Sequence, residues 1–138
     1  MRCLVVHAHP VKESFWHSIY ERAVTILAAN GHTVDALDLY AADFDLVLSR
    51  QSRLGYYEAG ENIQRVEDYL ERLRLANAVV FIYPTSWNLL PAILKGWLDR
   101  VWIQGVAFAL PEGGRRLEPL PSDSTAGTGV SRSLGCGL

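Results

Sequence analysis

Three apolar runs punctuate the chain: Cys3-Leu4-Val5-Val6, Val34 with Ala36-Leu37, and Ala78-Val79-Val80-Phe81-Ile82. The first and third are continuous, the pattern of strands buried on both faces of a parallel sheet covered by helices. Strands are predicted over residues 3–8, 33–39 and 78–83. Between them the period lengthens to that of a helix. Phe15, Ile19, Ala23, Ile26 and Leu27 form an apolar stripe behind Ser14, a good N-cap, and Asn30-Gly31 closes that helix. A second helical stretch, 61–75, carries Ile63, Val66, Leu70 and Leu73. A third begins with Pro91 as its first helical residue and buries some of Ile93, Leu94, Trp97, Leu98 and Val101. The connection over 43–60 is long and polar, yet it holds Phe44, Leu46, Leu48, Tyr56 and Tyr57. Such a loop has a task of its own or packs on a neighbour.

The order strand, helix, strand, helix, strand, helix predicts an α/β fold with a parallel sheet. Right-handed crossovers let the first strand lie between the second and the third. In the order 2-1-3, ligands sit beyond the carboxyl ends of strands one and three. Two segments meet there, 9–14 and 84–90. The first opens a helix whose free amides favour an anion such as phosphate, with Ser14, the amides of 14–17, and His9 or Lys12 as donors. It carries no Gly-rich fingerprint, so neither a dinucleotide-binding glycine loop nor a P-loop is expected. The second segment, Pro84-Thr85-Ser86-Trp87-Asn88-Leu89-Leu90, leaves a buried strand and at once gathers hydroxyls, an indole and an amide.

Composition narrows the field. The 138 residues fit one domain with a real core. A net charge of -2 offers no basic surface for nucleic acid or anionic lipid. No stretch reads as a secretory leader or a membrane span, so no membrane insertion and a cytoplasmic location are expected. Cys3 and Cys136 have no disulfide or zinc spacing, and Cys3 reads as a small apolar strand residue. His7 and His9 share a side of a strand, but no third ligand is evident in the sequence, so no metal site is expected. His17 and His32 read as solvated. Trp97 and Trp102 fall at apolar helical spacing, as core or dimer-interface residues. Asp99-Arg100 reads as an exposed pair, and Lys95 as a surface neighbour of Asp99. Tyr56 and Tyr57 read as packing the long loop on a second subunit, with closure over a substrate as the alternative.

The segments "VVHAHPVKESF" and "PAILKGWLDRVW" resemble the flavodoxin-like NAD(P)H:quinone oxidoreductases, the DT-diaphorase family and its bacterial relatives. The resemblance covers roughly residues 2–120. It implies a flavodoxin-like three-layer sandwich with strand order 2-1-3, bound FAD or FMN, NAD(P)H as co-substrate, a quinone substrate and a homodimer. It further implies that His9, Ser14 and Phe15 hold the flavin's phosphate and ribityl part. Pro84, Thr85, Ser86, Trp87 and Asn88 would line its isoalloxazine ring, where a flat ring needs an aromatic neighbour and hydrogen-bond donors.

The sequence departs from the family pattern at Trp16, Ser86 and Asn88-Leu89, and most at its end. Ten of residues 121–138 are Gly, Ser or Thr, which reads as a flexible tail after a partial flavin-binding domain over 1–120. The family's fourth strand and its catalytic Tyr/His pair find no counterpart, so no catalytic residue is assigned and later strands are missing or altered. Strand three would then be an apolar edge. The expected activity is flavin-dependent quinone reduction by NAD(P)H. The alternatives are a non-catalytic or regulatory interaction protein, and a small electron-carrying flavoprotein. The last would favour a more acidic surface.

Overall fold

The computed structural model of the chain describes residues 1–56 and 66–103. Along them run β1 (Arg2–His7), α1 (Phe15–Ala29), β2 (Thr33–Asp38), α2 (Arg50–Leu54), α3 (Glu67–Leu75), β3 (Ala78–Ile82) and α4 (Ala92–Val101). Each strand closes one residue earlier than the apolar pattern predicts. Of the helix expected over 61–75, the part from Glu67 is seen. Ile63, Tyr57 and the tail 121–138 lie outside the described residues.

The sheet is parallel in the order β2-β1-β3. Register sets Asp38, His7 and Ile82 side by side at its carboxyl end. Successive side chains of a strand point to opposite faces. Leu4, Val6 and Ala8 therefore join Leu70, Ile93, Leu94, Trp97 and Val101 in one core against α3 and α4. The opposite face meets α1, where the His7 ring stacks on Tyr20 with centroids 4.7 Å apart. Helices on both faces make the three layers expected.

The α1 stripe is shallower than its spacing implies, because no residue of α1 is fully buried. Ile19, Ala23 and Leu27 are half-buried, whereas Phe15 is 73% exposed and Ile26 is also exposed. Phe15 opens the helix past the end of the sheet, where no described residue covers it. Ser14 caps the helix, its Oγ accepting from the His17 amide at 3.2 Å. Asn30 is the C-cap, and Gly31 follows at φ 78°.

The long connection docks on its own chain. Phe44 is buried and meets Tyr69 edge-on, with centroids 5.0 Å apart. Gly96 lets the Leu46 backbone lie directly on α4. Arg100 is a correction to the exposed pair expected at 99–100: it is 8% exposed. Its guanidinium donates to the Asp45 carbonyl, pairs with the Asp45 carboxylate at 3.1 Å, and lies over the Phe44 ring. A partner 55 residues away, in a polar loop, removes this arginine from solvent. The short α2, capped by Ser49, stands within the stretch read as loop. Tyr56 packs against the core and donates to the Trp102 carbonyl at 3.4 Å.

Lys95 and Asp99 form the expected ion pair. Trp97 is core, edge-on to Phe81, while Trp102 is 40% exposed. Among the described residues, no helix is long and apolar enough to cross a membrane.

Candidate functional site

Because β1 and β3 are hydrogen-bonded neighbours, the segments that leave them start side by side. The Ala8 amide donates to the Ile82 carbonyl at 3.1 Å. From this point one chain runs through His9 to the start of α1, and the other through Tyr83 to the start of α4.

The first segment is held by its own short bonds. His9 Nδ1 accepts from the Val11 amide at 3.2 Å, which turns the chain toward Ser14. Ser14 Oγ accepts the His17 amide and the Val11 carbonyl accepts the Ser14 amide, at a helix end that favours negative charge. Phe15 stands exposed beside Trp16, their rings edge-on at 6.0 Å.

The second segment is a tight turn. Ser86 and Leu89 exchange two backbone hydrogen bonds of 2.9 Å, an antiparallel bridge closed by the pair Trp87-Asn88. Both residues of the pair have left-handed backbone, at φ 51° and 61°. Asn tolerates that region, but a bulky residue there is strained. The turn holds the Trp87 side chain clear of the molecule at 97% exposure. Thr85, Ser86 and Asn88 are exposed with it, and Pro84 is half-buried. Leu89, though exposed, lies outside the positive-φ positions of the turn.

The carboxyl end of the sheet also holds a polar cluster that the sequence pattern did not bring out. His7 is fully buried, and its Nδ1 donates to the Ile82 carbonyl at 3.3 Å. Its Nε2 faces His17 Nδ1 at 3.4 Å. His17 is therefore half-buried and not solvated as expected. His7 faces His17 and Tyr20, whereas His9 turns back on Val11. Burial pushes the His7 pKa below its ordinary value against the opposing pull of Asp38, and raises that of Tyr20. The signal for this cluster was present as His7, His17 and Asp38 in the sequence, but only the parallel register makes Asp38 a neighbour.

Midway along β2, Arg72 clamps Asp35. Its Nε and Nη2 reach Asp35 Oδ1 at 3.1 and 2.5 Å, and Arg2 adds a contact at 3.4 Å. The hydrogen bonds from Arg72 hold the Asp35 carboxyl below the ordinary range.

A family model described as the flavodoxin-like fold matches residues 1–127. Ribosyldihydronicotinamide dehydrogenase [quinone] of Rattus norvegicus is 36% identical over 126 residues, covering 80% of this chain and 54% of its own. NAD(P)H dehydrogenase [quinone] 1 of the same species is 34% identical, covering 96% of this chain and 56% of its own. Among solved structures, an NAD(P)H:quinone oxidoreductase from Methanothermobacter marburgensis superposes with a TM-score of 0.73 at 36% identity, covering 79% of this chain and 56% of that one. The chain thus spans a little over half the length of these relatives.

Proposed function

This chain belongs to the flavodoxin-like family whose model spans residues 1–127, and from that premise we propose a flavin-dependent NAD(P)H:quinone oxidoreductase. The observation that carries the proposal is the Trp87 turn. A strained, doubly hydrogen-bonded turn presents an exposed indole beyond the carboxyl end of β3, the strand hydrogen-bonded to the β1 strand that leads to α1. Ligands of open α/β sheets bind at this kind of crevice, and strain held at such a point often serves function. The names of the relatives at 34–36% identity support the same chemistry.

The residues present fit a flavin. The α1 amides and Ser14 suit its phosphate, with His9 and Phe15 beside them. Trp87 offers an aromatic face, and Thr85, Ser86 and Asn88 offer hydrogen-bonding groups to the ring, with Pro84 setting the start of the turn. Bound FAD or FMN supplies the two-electron chemistry that links NAD(P)H to a quinone. The chain's part is to bind and orient the ring and to screen one side of it from water. The flavin-binding domain of this proposal is 1–120. A homodimer in the cytoplasm completes it, the dimer being testable by size-exclusion chromatography with light scattering.

The direct test is the visible spectrum of the purified chain after incubation with FAD or FMN. Flavin bands that bleach with NADH and return with a simple benzoquinone are expected. A protein that stays colourless would overturn the proposal and leave the non-catalytic interaction protein in its place.

A further inference from the structure

His7, His17 and Asp38 each bring a ligand atom within 4.8 Å of the other two. They come from three elements: the last residue of β1, the first turn of α1 and the last residue of β2. Their hydrogen bonds decide which atoms are free. The Ile82 carbonyl can only accept, so the His7 proton sits on Nδ1 and the Nε2 lone pair is free. The Glu21 carboxylate stands 3.5 Å from His17 Nε2, and a proton on that nitrogen leaves the Nδ1 lone pair free. These two lone pairs face each other across 3.4 Å. In this tautomer pair both lone pairs converge beside the Asp38 carboxylate, where a cation has three donors in reach.

The spacing suits one. Two nitrogens bound to a tetrahedral Zn2+ stand roughly 3.3–3.4 Å apart, matching the 3.4 Å between His7 and His17. Metal-bound histidines commonly donate their other nitrogen to a carbonyl or carboxylate, as Ile82 and Glu21 allow here. Asp38 is itself oriented, its Oδ1 accepting from the Tyr40 and Ala41 amides at 3.0 and 3.1 Å.

We propose that His7 Nε2, His17 Nδ1 and the Asp38 carboxylate bind one divalent cation of the Zn2+ type, with water as fourth ligand. Two neutral imidazoles and one carboxylate form a donor set suited to this ion. The ion ties α1 to the sheet. That helix has no fully buried residue to anchor it, and the tie also fixes the ends of the segment 8–14. Its three donor atoms are none of those proposed to hold the flavin, and its test needs no flavin.

The full chain, freed of metal with a chelator, is titrated with Zn2+ by calorimetry and with Co2+ in the visible range. One ion per chain is expected, with tetrahedral Co2+ bands and a rise in Tm on adding Zn2+. His17→Gln, checked for fold by circular dichroism, should weaken binding by at least about 100-fold. Glu21→Gln, at an exposed outer partner, should weaken it by about 10-fold. His9→Gln and His32→Gln should leave it unchanged. Absence of one-to-one binding by the wild-type chain would overturn the proposal. So would unaltered affinity in His17→Gln, or loss of binding in His9→Gln, because either places the ion elsewhere.

Discussion

Gly96 of α4 lies against the backbone of Leu46, so closely that a Cβ at position 96 would stand 2.9 Å from Leu46 Cα and 2.7 Å from its Cβ. The long connection before α2 reaches the core only because this glycine has no side chain. Main chain cannot move aside as a flexible side chain would. Gly96→Ala is therefore expected to lower stability by about 1–3 kcal/mol despite the better helix propensity of alanine. Urea unfolding measures this. A neutral or stabilising result would mean that the loop does not dock on α4 in solution.

Asp35 gives the fold an acid limit. Its folded pKa is lowered, first by the hydrogen bonds from Arg72. The unfolded chain thus binds more protons than the folded one as the medium turns acidic. The stabilisation is present above the ordinary carboxylate pKa of about 3.9 and is lost as pH falls through the lower folded value. Asp35→Asn should cost roughly 1.5–3 kcal/mol at neutral pH and flatten the decline of stability in acid. Parallel pH profiles for wild type and variant would expose the error if they differed by a constant.

Trp87 sets stability against binding. Its left-handed backbone costs about 1–2 kcal/mol for a residue of this kind, while its exposed side chain returns little burial. Trp87→Asn should raise the melting temperature by a few degrees and at the same time weaken flavin uptake. If flavin binds the variant as tightly as the wild type, the indole is no part of the site.

Ser14 separates capping from anion binding. Ser14→Ala should cost about 1 kcal/mol through the lost cap on α1. Ser14→Asp restores the cap yet puts a negative charge where the flavin phosphate is proposed to sit. Recovered stability with still weaker flavin affinity is the expected pair of results. Equal affinity for Ser14→Asp and wild type would remove the phosphate from this helix end.

The strands were legible because burial on both faces leaves a continuous apolar run, as in Val79-Val80-Phe81. The caps at Ser14 and Asn30 were legible because capping is local. What escaped the sequence was the behaviour of polar groups whose partners come from far along the chain. Arg100 looked exposed because Asp45 and Phe44, which bury it, lie in a polar loop. His17 looked solvated because nothing local places it against His7. The depth of α1 was overstated for a related reason, since an apolar stripe reports a tendency to be covered and not the cover itself. Of the segments expected to hold the flavin, the structure gives the conformation of each and the adjacency of the strands they leave.

The central place of β1 also governs how the protein is made. This strand is synthesised before β2 and β3, yet it is completed last, because Arg2 and His7 bond to partners 75 residues downstream. At ribosomal rates of about 5–20 residues per second, that gap lasts roughly 4–15 seconds. Throughout it, Leu4-Val5-Val6 has at most one neighbouring strand. A nascent chain stalled before β3 would display an unfinished sheet edge, the kind of surface that chaperones bind and that aggregates form on.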